Sequence, residues 1–69
     1  MSVQETIGWQ VMVRRKSLRL TQIELAHLAG VAVRTVHEIE RDKPTLRLDS
    51  LQPVLEALGL ELKLEIRKP

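Results

Sequence analysis

The stretch that decides the fold is residues 20–44, LTQIELAHLAGVAVRTVHEIERDKP. Thr21 is a favourable helix N-cap, and the apolar spacing after it predicts a short helix over residues 22–29. Gly30 suits the left-handed conformation that ends many helices, and a second helix is predicted from about Val33 to Arg41. The inward sides of these two helices are predicted to carry Leu25, Ala26, Ala29, Val36 and Ile39. The stretch therefore predicts two helices joined by a tight turn.

Helical patterns continue on both sides of this stretch. Residues 2–5, SVQE, have the form of a capping box that opens a first helix. The inward face of that helix is predicted to consist of Ile7, Val11, Arg15 and Leu18. Pro44 ends the central pattern, because proline cannot continue a helix. A last helix is predicted from Leu48 or Asp49 to Leu58 and is ended by Gly59, with an irregular first turn because of Pro53.

The chain changes its period after this helix. Apolar residues alternate with charged ones, which is typical of a half-buried strand. The apolar side of this strand consists of Leu60, Leu62, Leu64 and Ile66. A lone strand has two unpaired edges, so we expect it to pair with the same strand of a second copy; the alternative is a frayed tail over residues 63–69. The chain then divides into a helical domain, residues 1–59, and a dimerisation strand, residues 60–69.

Length and composition limit the classes of protein that fit. A chain of 69 residues makes one small domain, and such domains often depend on oligomerisation for stability. The absence of cysteine excludes disulfides and thiolate zinc sites. The N-terminus has neither a signal-peptide pattern nor a membrane-spanning run, so we expect a cytoplasmic protein that does not bind membranes.

Positive charge is concentrated in the middle of the chain. Residues 14–47 contain eight Lys and Arg residues and four Asp and Glu residues, which leaves a local charge of +4. This clustering fits a surface that contacts phosphates, and it fits equally a solvated face of a basic protein. On the second central helix, the side opposite the apolar one carries Val33, Arg34, His37, Glu38 and Arg41. An exposed strip of this width can enter the DNA major groove.

Residues 20–44 resemble the Cro/repressor-like (XRE) helix-turn-helix family, together with Ile7-Gly8 and Arg15 before them and LDSLQPVLEALGL after them. The resemblance implies a compact bundle of five short helices, in which the second and third read DNA. We therefore expect an all-α fold of five helices, followed by one C-terminal β-strand that pairs across a homodimer.

The resemblance also assigns roles to single residues. The groove-facing positions are Ala32, Val33, Arg34, His37 and Glu38. Arg34 is expected to donate to a guanine, and Val33 or Ala32 to contact a thymine methyl group. The candidates for phosphate contact are Thr21, Gln22, Arg41, Lys43 and Arg47. Arg15 and Glu40 match a buried ion pair that joins the first helix to the third.

Two positions depart from the family pattern. Asp42 stands where the family usually has glycine, and aspartate tolerates the left-handed conformation less readily than glycine does. Glu38 places a carboxylate near DNA, which repels phosphates unless it accepts from a cytosine amino group or pairs with a neighbour. This repulsion weighs against Glu38 as a base-reading residue.

The segment from Lys43 to Ile66, KPTLRLDSLQPVLEALGLELKLEI, is most similar to HipB-type antitoxins. That similarity implies a dimeric repressor of its own operon that binds a HipA-type serine/threonine kinase toxin. One alternative is a stand-alone repressor of a phage or mobile element without a toxin. Another is a protein-interaction module that does not bind DNA.

The remaining candidate features concern partners and chemistry. Trp9, Met12 and Val13 lie away from the apolar core face of the first helix, so they predict either a partner-binding patch or a surface covered by the C-terminal segment. His27 and His37 lie on different helices without acidic or thiol companions, so we expect no metal site. No nucleophile with a general base and no glycine-rich phosphate loop is present, so we expect no catalysis and no cofactor.

Overall fold

The computed structural model describes residues 6–64 and 66. Four α-helices occupy this part of the chain: α1 (Ile7–Ser17), α2 (Gln22–Ala29), α3 (Val33–Glu40) and α4 (Leu48–Leu58). Helix α2 packs against α3 and α4, while α1 packs against α3. None of these helices is long and apolar enough to span a bilayer.

The predicted helix α2, the first of the helix-turn-helix, is confirmed at both of its ends. Thr21 and Glu24 form a reciprocal capping box at the start of α2. The Thr21 hydroxyl accepts from the Glu24 backbone N–H at 3.0 Å, and the Glu24 carboxylate accepts from the Thr21 backbone N–H at 2.8 Å. The latter bond lowers the pKa of Glu24. Gly30 ends α2 in the left-handed region, with a φ of 71°. A side-chain capping box therefore fixes the start of α2, and the backbone freedom of glycine fixes its end.

The expected fifth helix is wrong for the described residues. The resemblance implied five helices, whereas the periodicity itself located only the four that are observed. Residues 41–47 between α3 and α4 form turns, and residues 60–64 and 66 have no regular secondary structure. Asp42 has a φ of 55°, which lies outside the right-handed helical region, and Pro44 lacks the N–H that a helix needs.

The ends of α1 also differ from the prediction. The proposed capping box at residues 2–5 lies outside the described residues, and Thr6 caps α1 by accepting from the Trp9 backbone N–H at 3.1 Å. Ile7 and Leu18 are 39% and 41% exposed, although they were assigned to the inward face. Both stand at the ends of the helix, beyond the reach of the core.

One apolar core is shared by all four helices. Its buried side chains are Val11, Leu25, Ala26, Val36, Ile39, Leu51, Val54, Leu55 and Leu58.

Helix α4 continues through Pro53, so the expected irregular first turn is absent. The proline removes a single bond to the carbonyl of Asp49, and Asp49 is an exposed residue whose carbonyl lies in the first turn.

The C-terminal segment does not support the predicted strand. Residues 60–64 and 66 have no regular secondary structure. Leu60 packs against the core and donates its N–H to the carbonyl of Leu55 at 2.8 Å. Leu64 and Ile66 are fully exposed, at 103% and 96%. A strand requires backbone partners, and the described residues of one chain provide no second strand.

The N-terminus of α1 and the C-terminus of α3 meet at Gly8. The Asp42 carboxylate accepts from the backbone N–H of Gly8 at 2.8 Å and so caps α1 from another part of the chain. A Cβ atom on residue 8 would lie 2.5 Å from the carbonyl oxygen of Ile39 and 2.8 Å from Asp42 Oδ1. This contact requires glycine, because two backbones approach each other here.

Gly8→Ala is therefore expected to destabilise the fold by about 1–3 kcal/mol, in the range of overpacked sites. The measurement is the urea unfolding midpoint followed by circular dichroism. Gln52→Ala, on the exposed side of α4, serves as the control. It introduces alanine into a helix at a position that no other backbone segment approaches. Equal midpoints for Gly8→Ala and the wild type would contradict the tight contact.

Candidate nucleic-acid interface

Helix α3 has one buried side and one exposed side. Val36 and Ile39 lie on its buried side and are completely inaccessible to solvent. Arg34 and His37 project outward, and the Arg34 side chain is 85% exposed. The geometry thus provides a rigid helix whose polar side is free to approach another surface, which is the condition for reading a major groove.

The structure places the five groove-facing candidates in three kinds of environment. Ala32, Arg34 and His37 are exposed. Val33 is partly buried and packs against the core, which leaves only part of its side chain for a methyl contact. Glu38 is 25% exposed and is engaged by neighbouring cations. Arg34 and His37 are therefore the side chains that are best presented.

An ion pair fixes the position of α3 against α1. Arg15 and Glu40 are brought together by two hydrogen bonds, Nε to Oε2 at 2.7 Å and Nη2 to Oε1 at 3.0 Å. Arg15 also donates to the carbonyl of Leu20 at 2.8 Å. The bond to Glu40 raises the pKa of Arg15. Both side chains are nearly buried, at 10% and 6% exposed, so the pair holds the angle between the two helices.

Four of the five phosphate candidates have side-chain partners within the described part of the chain. Gln22 donates to Glu40 Oε1 at 3.1 Å, and the Thr21 hydroxyl caps α2. The guanidinium of Arg47 forms two hydrogen bonds to Asp49, at 3.1 and 2.8 Å. Lys43 is paired with Glu38, and Arg41 is exposed at the C-cap of α3. Contact with phosphates would therefore exchange some of these partners.

Glu38 lies in an open cleft at the C-terminal end of α3. The cleft is lined by Arg34, His37, Glu38, Arg41, Lys43 and Pro44. The hydrogen bond from the Lys43 ammonium is the main cause that lowers the pKa of Glu38; the charges of Lys43, Arg34 and Arg41 act in the same direction, and desolvation opposes them. Glu38 is therefore an anion at neutral pH.

Two structural interactions were missed by the sequence reasoning. Asp42 was noted only as a departure from glycine, but its carboxylate caps α1 at Gly8. Arg14 was counted in the basic cluster, whereas its Nε donates to the carbonyl of Leu58 at 2.9 Å and thereby ties α1 to the end of α4. The acid at a left-handed position was a usable signal for the first contact, while nothing in the local pattern pointed to the second.

The other candidate features are less exposed than predicted. Trp9 and Met12 are partly buried, and Val13 is 41% exposed, so these residues do not form a fully open apolar strip. Within residues 6–64 and 66, no three His, Cys, Asp or Glu side chains are placed to hold a metal ion.

The helix, the glycine turn and the exposed second helix define a helix-turn-helix protein. This chain belongs to the helix-turn-helix family, whose profile matches residues 11–64. It is 39% identical over 56 residues to the uncharacterized HTH-type transcriptional regulator y4mF of Sinorhizobium fredii, covering 81% of this chain and 74% of that protein. It is also 35% identical over 57 residues to the immunity repressor protein of Bacillus phage phi105, covering 83% of this chain and 40% of the repressor.

Proposed function

We propose that this protein is a sequence-specific DNA-binding transcriptional repressor. The observation that carries the proposal is the exposed polar side of α3, with Arg34 and His37 outward and Val36 buried beneath them. The similarity to an HTH-type transcriptional regulator and to an immunity repressor supports the same function. In this function, Arg34 reads a guanine edge, Ala32 or Val33 contacts a thymine methyl group, and His37 contacts the groove or a phosphate.

The direct test is binding of the full-length protein to the DNA upstream of its own gene. We expect tight binding to one site. The logarithm of the association constant is expected to fall linearly with the logarithm of the salt concentration. An unrelated duplex of equal length and base composition is the control. Absence of salt-sensitive binding to both duplexes would contradict the proposal and favour a protein-interaction module.

The proposal includes a homodimer formed through residues 60–69. Leu62, Leu64 and Ile66 are exposed, at 49%, 103% and 96%, although they are apolar and alternate with charged residues. Pairing this segment with its copy would cover those side chains and satisfy both backbones. Two α3 helices of such a dimer would enter successive major grooves about 34 Å apart on a palindromic operator.

Deletion of residues 61–69 is expected to give a folded monomer with much weaker operator affinity. The deletion retains Leu60, which packs against the core. Analytical ultracentrifugation measures the mass. A full-length Leu64→Lys/Ile66→Lys variant is the control, because it keeps the backbone of residues 61–69 and loses two of its apolar side chains. A truncated protein that still sediments as a dimer would contradict pairing through this segment.

A finer form of the proposal makes the protein a HipB-like antitoxin that binds a HipA-type kinase toxin and represses its own operon. Its support is the apolar alternation directly after α4, and Trp9, Met12 and Val13 are candidates for the toxin contact. The similarity to a phage immunity repressor favours a stand-alone repressor instead. A kinase gene beside this gene, and a complex of the two purified products, would support the antitoxin; neighbouring integrase genes would support the alternative.

A further inference from the structure

The cleft beside α3 combines several cations with one anion. Among the described residues that line it, Glu38 alone carries a carboxylate, while Arg34, Arg41 and Lys43 are cationic. The Lys43 ammonium donates a hydrogen bond to Glu38 Oε2. Arg34 Nε lies 3.9 Å from the same oxygen. One carboxylate of the proposed DNA-binding surface thus pairs with Lys43 and lies near Arg34.

The backbone fixes Lys43 beside Glu38. The N–H of Lys43 donates to the carbonyl of Glu38 at 3.1 Å, and the N–H of Asp42 donates to the carbonyl of Ile39 at 3.0 Å. With Asp42 in the left-handed region, these bonds form a Schellman motif at the end of α3. Because the motif already fixes the backbone at Lys43, forming the ion pair costs only the rotamer entropy of the two side chains.

Lys43 can nevertheless reach a phosphate. Its side chain is 46% exposed, whereas that of Glu38 is only 25% exposed. A phosphate that approaches this end of α3 must replace Glu38 as the partner of Lys43, while the carboxylate repels it.

We propose that Glu38 is an affinity-limiting residue of the DNA-binding surface: it pairs with Lys43 in the free protein, and this pair must break before Lys43 contacts a phosphate. This inference rests on the proposed DNA-binding function. In it, Glu38 weakens binding to DNA of any sequence, and it does not contact a base.

Glu38→Gln is the variant that tests the mechanism. Affinity for non-specific DNA and affinity for the operator are both expected to rise, by up to about fivefold, because the free variant has no ion pair to break; fivefold is the upper range for an exposed ion pair. The ratio of operator to non-specific affinity is expected to stay within about twofold of the wild-type ratio.

Two controls separate this mechanism from a change of net charge. Glu56→Gln removes the same charge from an exposed position on α4, and it is expected to change both affinities by less than about twofold. In a Lys43→Gln background, Glu38→Gln is expected to change non-specific affinity by less than about twofold, since the cation it restrains is gone. Equal effects of Glu38→Gln in both backgrounds would overturn the proposal.

A different result would assign Glu38 to base reading. If Glu38→Gln weakens operator binding tenfold or more and leaves non-specific binding unchanged, the carboxylate contacts a base and the proposal fails. These outcomes presuppose that the wild type binds its upstream DNA. Failure of that binding refutes the proposed function instead, so the two failures are distinguishable.

Discussion

Arg34→Ala is expected to reduce operator affinity about fivefold to 150-fold per half-site, the range for loss of one bidentate contact to guanine. The side chain is 85% exposed and stands on the outward side of α3. Among the described residues it has one ion pair, with Glu38 at 3.9 Å, so the free protein loses little when Arg34 is removed. The melting temperature is therefore expected to stay within about 2 °C of the wild type.

The measurement is fluorescence anisotropy with the operator and with each single-base substitution of it. Arg34→Ala is expected to lose discrimination at one base pair per half-site, while the wild type keeps it. Lys16→Ala, an exposed cation in the last turn of α1, is the control for charge and is expected to affect all sequences alike. Equal discrimination by the Arg34 and Lys16 variants would remove Arg34 from base reading.

The helix-turn-helix could be predicted because its determinants are local. Thr21 and Glu24 cap α2 through side chains three residues apart, and Gly30 ends it through its own backbone freedom. The apolar spacing of Val36 and Ile39 identifies the buried side of α3, which in turn leaves Arg34 outward. A window of a few residues contains all of this information.

The described part of the single chain shows neither the expected fifth helix nor the expected strand, for different reasons. The family resemblance alone predicts a fifth helix, and no apolar period in the sequence assigns it to particular residues. The strand was deduced from alternation alone over residues 60–66. Alternation states which side chains share a face, but it does not supply a backbone partner, and a single chain lacks one in its described part.

The sequence predicts the outward face of the candidate site and, through the resemblance, the ion pair between Arg15 and Glu40; it does not identify Lys43 as the partner of Glu38. The pairing of Glu38 with Lys43 depends on the turn at Asp42, which brings residue 43 back towards α3. The contact of Asp42 with Gly8 spans 34 positions in the sequence. The first pair follows from a local turn that apolar periodicity does not reveal, and the second contact follows from the packed arrangement of α1 and α3.

The ion pair between Arg15 and Glu40 leads to the largest expected change in stability. Glu40→Leu removes both carboxylate oxygens from the Arg15 guanidinium, which stays nearly buried with the carbonyl of Leu20 as its remaining partner. Breaking a buried pair from one side destabilises a protein by about 3–5 kcal/mol. Domains of this length have total stabilities of about 3–10 kcal/mol, so Glu40→Leu is expected to unfold partly or wholly at 25 °C.

Urea unfolding followed by circular dichroism measures this effect, and a double variant keeps the test decisive. Arg15→Met/Glu40→Leu replaces the pair with apolar side chains of similar volume, so no charge remains stranded. We expect the double variant to regain most of the stability that Glu40→Leu loses. Glu38→Gln, an acid on the same helix that is paired at the surface, is expected to cost less than about 1 kcal/mol. If Glu40→Leu and Glu38→Gln lose equal stability, burial of the Arg15 charge does not hold α1 and α3 together, and the orientation of Arg34 must be fixed by the apolar core alone.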